Sequence, residues 1–313
     1  MSRPIILDCD PGHDDAMAIL LARGCPDIDL RAITTVAGNQ TLEKTTLNAR
    51  RVCTVANIHD VPIHAGCDRP LVRPQIVAGD IHGSSGLDGP VFGEPAVDVA
   101  GEHAVDFLVR TLMATDGEIT LVPTGPLTNI AMALRREPRI AGRTREVVLM
   151  GGCYGRGNRT PTAEFNILAD PEAAAIVFAA GWPVTMVGLD LTHQAGAGQR
   201  VIDEIAAMGT AVSRMAVDML EFYRGRYRSV EGLGDPPVHD PCAVARVARP
   251  GLVEVADAFV AVETRGEWTS GMTVTDFRGK LGHEPNTKVA TRLDRDGFWA
   301  LMLDAIKTLG AGS

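Results

Sequence analysis

The chain has 313 residues, of which 45% are hydrophobic, and a formal net charge of -9. This length is enough to bury a large core, as one big α/β domain or two smaller ones. The negative net charge argues against a nucleic-acid partner, because proteins that bind nucleic acid usually carry a basic face. No apolar run approaches the ~20 residues of a membrane span, no signal peptide is apparent, and the six cysteines form no CxxC pair. We therefore predict a cytoplasmic protein with free thiols, a small neutral substrate, and no nucleic-acid or membrane partner.

The first apolar segment of the chain is interrupted by a cluster of acids. Ile5 to Leu7 predict a strand covered on both faces, Pro11-Gly12 a turn, and residues 16–22 a buried helix. The acids at the join are Asp8, Asp10, Asp14 and Asp15. One acid there can simply cap the helix, whereas four repel one another unless a cation or protonation intervenes. Oxygen donors without a Cys or His pattern favour calcium or magnesium, and calcium if the site supplies many ligands.

The following segments alternate between predicted strands and helices. Strands are predicted at 28–36, 61–64, 118–123, 147–150 and 183–189, and helices at 41–56, 102–114, 199–208 and 211–226. This rhythm predicts a mostly parallel central sheet flanked by helices, with ligands at the carboxyl ends of its strands, where Asp10 and Asn39 lie. Further strands at 253–263, 272–276 and 287–290 and a helix at 296–309 suggest no chemistry. Without a repeat or a linker, residues 1–313 are predicted to form a single domain.

A long segment rich in Gly and Pro, residues 66–95, follows the third predicted strand. A loop of this length inside a compact domain is usually a lid or a binding loop, and His82 lies near its centre. A passive surface loop is the alternative interpretation.

Polar and aromatic residues in the second half of the chain have the spacing of a binding site. Glu164 and Asn166, two apart in a segment expected to be extended, would project the same way and bind sugar hydroxyls, with Phe165 turned opposite. A solvated loop is the alternative. Tyr223 and Tyr227, four apart on a predicted helix, form either an exposed pair that stacks on a base or two core rings.

Three motifs resemble those of the inosine-uridine-preferring nucleoside hydrolases. They are Asp8-x-Asp10-Pro11-Gly12-His13-Asp14-Asp15-Ala16, Ala163-Glu164-Phe165-Asn166-x-x-x-Asp170-Pro171 and Val238-His239-Asp240-Pro241. They occur in family order across nearly the whole chain, and the His82 loop resembles the family's HGxxGL-like mobile loop. The resemblance implies a nucleoside hydrolase fold with a Rossmann-like core, and hydrolysis of the N-glycosidic bond of ribonucleosides to ribose and free base. A broad purine and pyrimidine range is expected, with pyrimidine preference as the alternative.

The resemblance also implies roles for individual residues. One calcium ion would be held by the side chains of Asp10, Asp15 and Asp240 and by the carbonyl of Thr124, together with the ribose 2′- and 3′-hydroxyls and a water. Asp10 would take a proton from that water as general base. His239 would protonate the leaving base, a choice that rests on an ordinary imidazole pKa near neutrality. The predicted substrate-binding residues are Asp14, Asn39, His82, Met150, Asn158, Glu164, Phe165, Asn166, Tyr223, Tyr227 and His239. A homo-oligomer, either a dimer or a tetramer, is expected.

Two other classes of protein compete with this interpretation. A phosphatase of the haloacid dehalogenase type could use Asp8 and Asp10 as nucleophile and acid, but its motif requires Thr or Val where this chain has Gly12. It would also leave Asp14, Asp15 and Asp240 unexplained. A calcium-dependent nucleoside- or ribose-binding protein would keep the site without turnover, and the presence of both Asp10 and His239 argues against it.

Overall fold

Nine strands form one sheet within residues 2–230, 232 and 234–311, the part of the chain that the computed structural model describes. The strands are β1 (Arg3–Cys9), β2 (Ile28–Thr35), β3 (Ile63–Ala65), β4 (Thr120–Pro123), β5 (Glu146–Met150), β6 (Val184–Val187), β7 (Val253–Val262), β8 (Thr273–Asp276) and β9 (Thr287–Leu293). Their order across the sheet is β3-β2-β1-β4-β5-β6-β9-β7-β8. All neighbours from β3 to β9 are parallel, and β7 is antiparallel to both β9 and β8. The predicted α/β class and mostly parallel sheet are therefore confirmed.

Helices cover both faces of the sheet. They are α1 (His13–Gly24), α2 (Leu42–Val55), α3 (Gly79–His82), α4 (Ala104–Met113), α5 (Thr128–Arg136), α6 (Phe165–Ala169), α7 (Pro171–Phe178), α8 (Leu189–Thr192), α9 (Gln199–Ala206), α10 (Ala211–Val230), α11 (Pro241–Ala248) and α12 (Arg295–Ala311), with 3-10 turns at Pro138–Arg143 and Pro250–Leu252. Among the described residues, every helix is too short or too polar to cross a bilayer.

The central strand β1 separates two apolar cores. Leu7 packs into a core with residues of α1, α11 and α12, whereas the adjacent Ile6 packs into a core with residues of α4, α5 and α7. Successive side chains of a strand point to opposite faces, so a strand buried on both sides needs an uninterrupted apolar sequence. The run from Ile5 to Leu7 meets that requirement and is fully buried.

The structure contains helices, among them α5 and α7, that the sequence-based prediction did not include, and it differs from that prediction in two segments near the cavity. The long loop contains the short helix α3, which ends at His82. The expectation that Glu164 to Asn166 are extended is wrong, because α6 begins at Phe165 and Glu164 is its N-cap. The Glu164 carboxylate accepts hydrogen bonds from the backbone N–H groups of Asn166 and Ile167, which satisfies the free donors at the start of the helix.

Candidate active site

The parallel strands bring polar residues from distant parts of the chain to one edge of the sheet. Asp10 follows β1, Asn39 follows β2, Thr124 follows β4 and Met150 ends β5. A cavity opens there, and all of the residues predicted to bind substrate line it, together with Thr124 and Asp240. Sequence reasoning had missed further lining residues, namely Ala78, Asp80, Ile81, Arg159 and Val230. Ala78, Asp80 and Ile81 lie in the segment 66–95 that was predicted to be a lid or a binding loop, whereas Arg159 lies just before the second motif and Val230 carried no signal.

Three buried carboxylates meet beside the cavity; Asp14 and Asp240 line it, whereas Asp15 does not. Oxygens of Asp14, Asp15 and Asp240 lie within 4.8 Å of one another. Asp10 lies beside them, since its backbone N–H donates to Asp15 Oδ1 over 3.3 Å. Its Oδ2 accepts from the backbone N–H of Asn39 at 2.6 Å. The structure therefore brings the predicted ligands Asp10, Asp15 and Asp240 into one cluster and places Asp14 in its tightest trio.

The carboxylate cluster carries more negative charge than its surroundings can balance. Burial and then the neighbouring Asp15 raise the pKa of Asp14 to about 8, and the same two causes raise the pKa of Asp10 well above its ordinary value. Within the described residues, Asp10 Oδ1 and Asp14 Oδ1 are buried without a hydrogen-bond donor. Buried oxygens that lack donors and ionise only at a cost are suited to a hard divalent cation. The residues present thus fit a bound metal ion.

A second group of contacts shapes the side of the cavity next to β5. Asn166 Nδ2 donates to the carbonyl of Thr124 at 2.8 Å and to that of Met150 at 3.2 Å. Burial raises the pKa of Glu164 to about 7, although backbone N–H groups that include that of Gly152 hydrogen-bond its carboxylate. Because the Asn166 amide nitrogen donates to the carbonyls of Thr124 and Met150, the amide oxygen remains as an acceptor for a ligand.

A chain of hydroxyl and imidazole groups forms another wall. Tyr223 donates to the hydroxyl of Tyr227 over 3.4 Å, that hydroxyl lies 2.8 Å from His239 Nε2, and His239 Nδ1 lies 2.7 Å from the hydroxyl of Thr192. Sequence reasoning missed Thr192. The two tyrosines are 1% and 6% exposed, so of the two alternatives left open by the sequence the structure has the buried rings, and both rings also line the cavity.

His239 differs from expectation in its electrostatics. Burial, with a smaller contribution from His193, lowers the pKa of His239 to about 3. The expected pKa near neutrality is therefore wrong for this side chain, and the ring is neutral at pH 7. A neutral imidazole can still donate the one proton that it carries and accept another at its other nitrogen.

Residues 79–88, which we call the lid, contribute Asp80, Ile81 and His82 to the lining of the cavity. The lid begins with α3, and His82 at the end of that helix is 5% exposed. Arg226 Nε donates to the carbonyl of Asp80 at 2.7 Å, and Arg159 pairs with the Asp80 carboxylate at 2.9 Å. Contacts from two separate elements therefore hold the lid in place at the cavity.

A family model for inosine-uridine preferring nucleoside hydrolases matches residues 5–300. The chain belongs to this family. This nucleoside hydrolase is similar to the inosine-uridine preferring nucleoside hydrolase of Crithidia fasciculata. The two sequences are 51% identical over 312 residues, a region that covers 99% of each chain. This chain is also 48% identical to a pyrimidine-specific ribonucleoside hydrolase of Escherichia coli, over 97% of each chain.

Solved structures agree with this assignment of the nucleoside hydrolase. A purine-preferring ribonucleoside hydrolase from Gardnerella vaginalis superposes with a TM-score of 0.93 at 32% identity, over 99% of this chain and 100% of the other. The family resemblance inferred from the three motifs, and the fold that it implied, are confirmed. As a family member with these relatives, the protein is a ribonucleoside N-ribohydrolase.

Proposed function

We propose that this nucleoside hydrolase cleaves both purine and pyrimidine ribonucleosides, such as inosine and uridine, with a bound calcium ion as cofactor. One observation carries the proposal. A buried carboxylate cluster and the hydrogen-bonded chain Tyr223–Tyr227–His239 lie at the same cavity. Carboxylates suit a sugar that gains positive charge as its glycosidic bond breaks. Hydroxyl and imidazole groups suit a leaving base that must gain a proton.

The ribose would lie against the carboxylates and the amides. Asn39 Nδ2 donates to Asp15 Oδ2 at 3.2 Å, and Asn158 Oδ1 accepts from the backbone N–H of Phe165 at 3.0 Å. These bonds orient both amides and leave the Asn39 oxygen and the Asn158 nitrogen for sugar hydroxyls. Together with Asp14, Glu164 and Asn166, these amides would hydrogen-bond the ribose hydroxyls. A 2′-deoxyribose lacks one hydroxyl, so it would leave buried polar groups without a partner and bind more weakly.

Asp10, Asp15, Asp240 and the Thr124 carbonyl would hold the cation, with Asp14 directed to the ribose. Calcium suits an all-oxygen site with many ligands better than magnesium, which demands a tighter octahedron. A divalent cation bound there supplies positive charge for the sugar diol and lowers the pKa of water.

Asp10 would act as general base and His239 as the immediate proton donor. Asp10 Oδ1 has no donor among the described residues, so it is free to take a proton from water as the water oxygen bonds to the ribose C1′. The bond from C1′ to the base nitrogen breaks, and its electron pair leaves with the base. The base gains a proton from His239 Nε2 as this nitrogen takes one from the hydroxyl of Tyr227, 2.8 Å away. The proton that Asp10 took from water returns to the Tyr227 oxygen when the products leave, so the net transfer is from water to the base.

A panel of ribonucleosides and 2′-deoxynucleosides tests the proposal, with the cation chelated and then restored. We expect release of hypoxanthine from inosine and of uracil from uridine, weak release from the deoxy substrates, and loss of activity on chelation that calcium reverses. Release of pyrimidines alone would favour the narrower activity named for the 48% identical relative. Tight nucleoside binding without any base release would instead indicate a binding protein.

We also propose that the enzyme is a cytoplasmic homo-oligomer, a dimer or a tetramer. Large apolar side chains are exposed in the single chain, among them Trp268 at 80% and Leu281 at 51%, and their burial against another subunit would favour association. All six cysteines are free, which suits a reducing compartment. Light scattering of the purified protein would give the number of subunits, and a monomer would contradict the first part of the proposal.

A further inference from the structure

His13, at the start of α1, connects the carboxylate cluster to the lid. Its side chain is buried, and it does not line the cavity. Nδ1 of its ring lies 3.0 Å from Nδ1 of His82, and its Nε2 lies 2.8 Å from the carbonyl oxygen of Asp88. The ring thus contacts the lid at both ends of residues 82–88, from a position next to the carboxylate cluster in sequence.

The hydrogen-bond pattern specifies how His82 is held. A carbonyl oxygen only accepts, so His13 Nε2 carries a hydrogen and donates it to Asp88. The backbone N–H of His13 donates to His82 Nδ1 over 3.3 Å, and the Nδ1 atoms of the two rings lie 3.0 Å apart, so His13 holds the His82 ring through its backbone and its side chain. The fit is tight, because a Cβ atom on Gly12 would lie 2.6 Å from His82 Nδ1. His82 therefore packs on bare backbone, and His13 sets its orientation.

The same His13 ring packs against α10. It stacks on Phe222 at 5.2 Å with an interplanar angle of 3°, and on Tyr223 at 5.1 Å with an angle of 8°. Tyr223 also stacks on His82, at 5.4 Å. The imidazole therefore touches both the lid and the first member of the Tyr223–Tyr227–His239 chain. Its hydrogen bonds reach the lid, and its ring stacks both on α10 and on His82, whose ring centroid lies 5.3 Å away.

We propose that His13 is a positioning residue, which holds the lid closed and orients His82 over bound nucleoside without touching the substrate itself. This inference rests on the proposed ribonucleoside hydrolysis. If the lid must close over substrate, only the closed fraction of the protein binds tightly. A variant with a smaller closed fraction then has a proportionally lower apparent affinity. Groups that act only through lid closure should then change KM and leave kcat nearly unaltered.

Two substitutions at this position separate the hydrogen bonds from the stacking. His13→Phe keeps a flat ring between Phe222 and His82 and removes both side-chain hydrogen bonds while the backbone N–H of residue 13 stays, so we expect KM for uridine and inosine to rise about 10-fold with kcat within about twofold. His13→Asn keeps a polar group near the Nδ1 position, and its KM should lie between those of wild type and His13→Phe. If His13→Phe does not fold, His13→Leu tests the same expectation with a smaller side chain. Its KM should rise by the same factor.

A double-mutant cycle tests whether His13 acts through His82. In a His82→Ala background, His13→Phe should add little to the rise in KM, because the group that it positions is already gone. Lys44→Ala is the matched control, since Lys44 reaches the lid from solvent through the Ser84 carbonyl and should leave KM within about twofold. Wild-type KM in His13→Phe, or fully additive effects in the cycle, would overturn the proposal.

Hydrogen exchange of the lid amides tests the proposal without turnover. The N–H groups of His82 and Asp88 are hydrogen-bonded to the carbonyls of Ala78 and His82 in the closed lid. Both should exchange faster in His13→Phe, while amides of β1 stay protected. Unchanged exchange would argue against the role of His13, whereas a wild type that releases no base would refute only the proposed function.

Discussion

Removal of the cation should make the stability of this protein depend on pH in an unusual direction. Burial and the neighbouring Asp15 raise the pKa of Asp14 from 3.8 to about 8 in the folded chain without metal. The folded protein therefore keeps a proton that the unfolded chain releases near its ordinary pKa. The stability associated with that proton is fully present below pH 3.8 and is lost as pH rises through about 8.

The size of the effect follows from linkage. One bound proton changes the free energy of unfolding by about 1.4 kcal/mol per pH unit, so Asp14 alone should lower stability by about 2.5 kcal/mol between about pH 5.5 and about pH 7.5. Urea unfolding in the presence of a chelator, followed by fluorescence of the buried Trp182 and Trp299, measures this difference. The side chain in Asp14→Asn cannot titrate, so the free energy of unfolding of this variant should fall by about 2.5 kcal/mol less over the same pH range.

Saturating calcium should remove the decline or reverse it, because a bound cation keeps the carboxylates ionised and binds better as they deprotonate. Equal stability of the metal-free protein at the two pH values would refute the reasoning. So would a decline in Asp14→Asn as large as that of wild type, since the titrating group would then lie elsewhere.

Four substitutions test individual roles. Asp10→Ala should abolish base release from uridine and inosine, measured by absorbance, while circular dichroism stays that of wild type. His239→Ala should lower kcat on inosine by roughly 100-fold or more, the scale of a general acid, and a wild-type kcat would exclude this role. Tyr227→Phe removes the hydroxyl 2.8 Å from His239 Nε2 and should lower kcat on inosine by roughly 10-fold with little change in KM; equal kcat values would show that this hydroxyl supplies no proton. Asn129→Leu removes the donor 2.8 Å from the buried Asp8 carboxylate and should cost about 2–4 kcal/mol in urea unfolding, and a loss below 1 kcal/mol would contradict that estimate.

Local pattern accounts for most of what sequence reasoning predicted correctly. The apolar run from Ile5 to Leu7 and the alternation of strands with helices predicted a parallel sheet, because the spacing of apolar residues along a short segment indicates whether it forms a strand or a helix. A parallel sheet places the ends of its strands at one edge, so Asp10 and Asn39 were expected there; both follow their strands at that edge, and Asn39 lines the cavity. The same logic failed at Glu164, whose carboxylate caps a helix through backbone donors that its composition does not reveal.

The amino-acid sequence by itself determined the family, the fold class and the residue types of the site, since motifs and burial periods are properties of short segments. Only the tertiary structure decided which oxygens of the acidic cluster lack donors, how far burial depresses the pKa of His239, and that His13 lies against His82. These properties depend on desolvation and on distances between groups far apart along the chain, and such distances exist only once the strands and helices have packed.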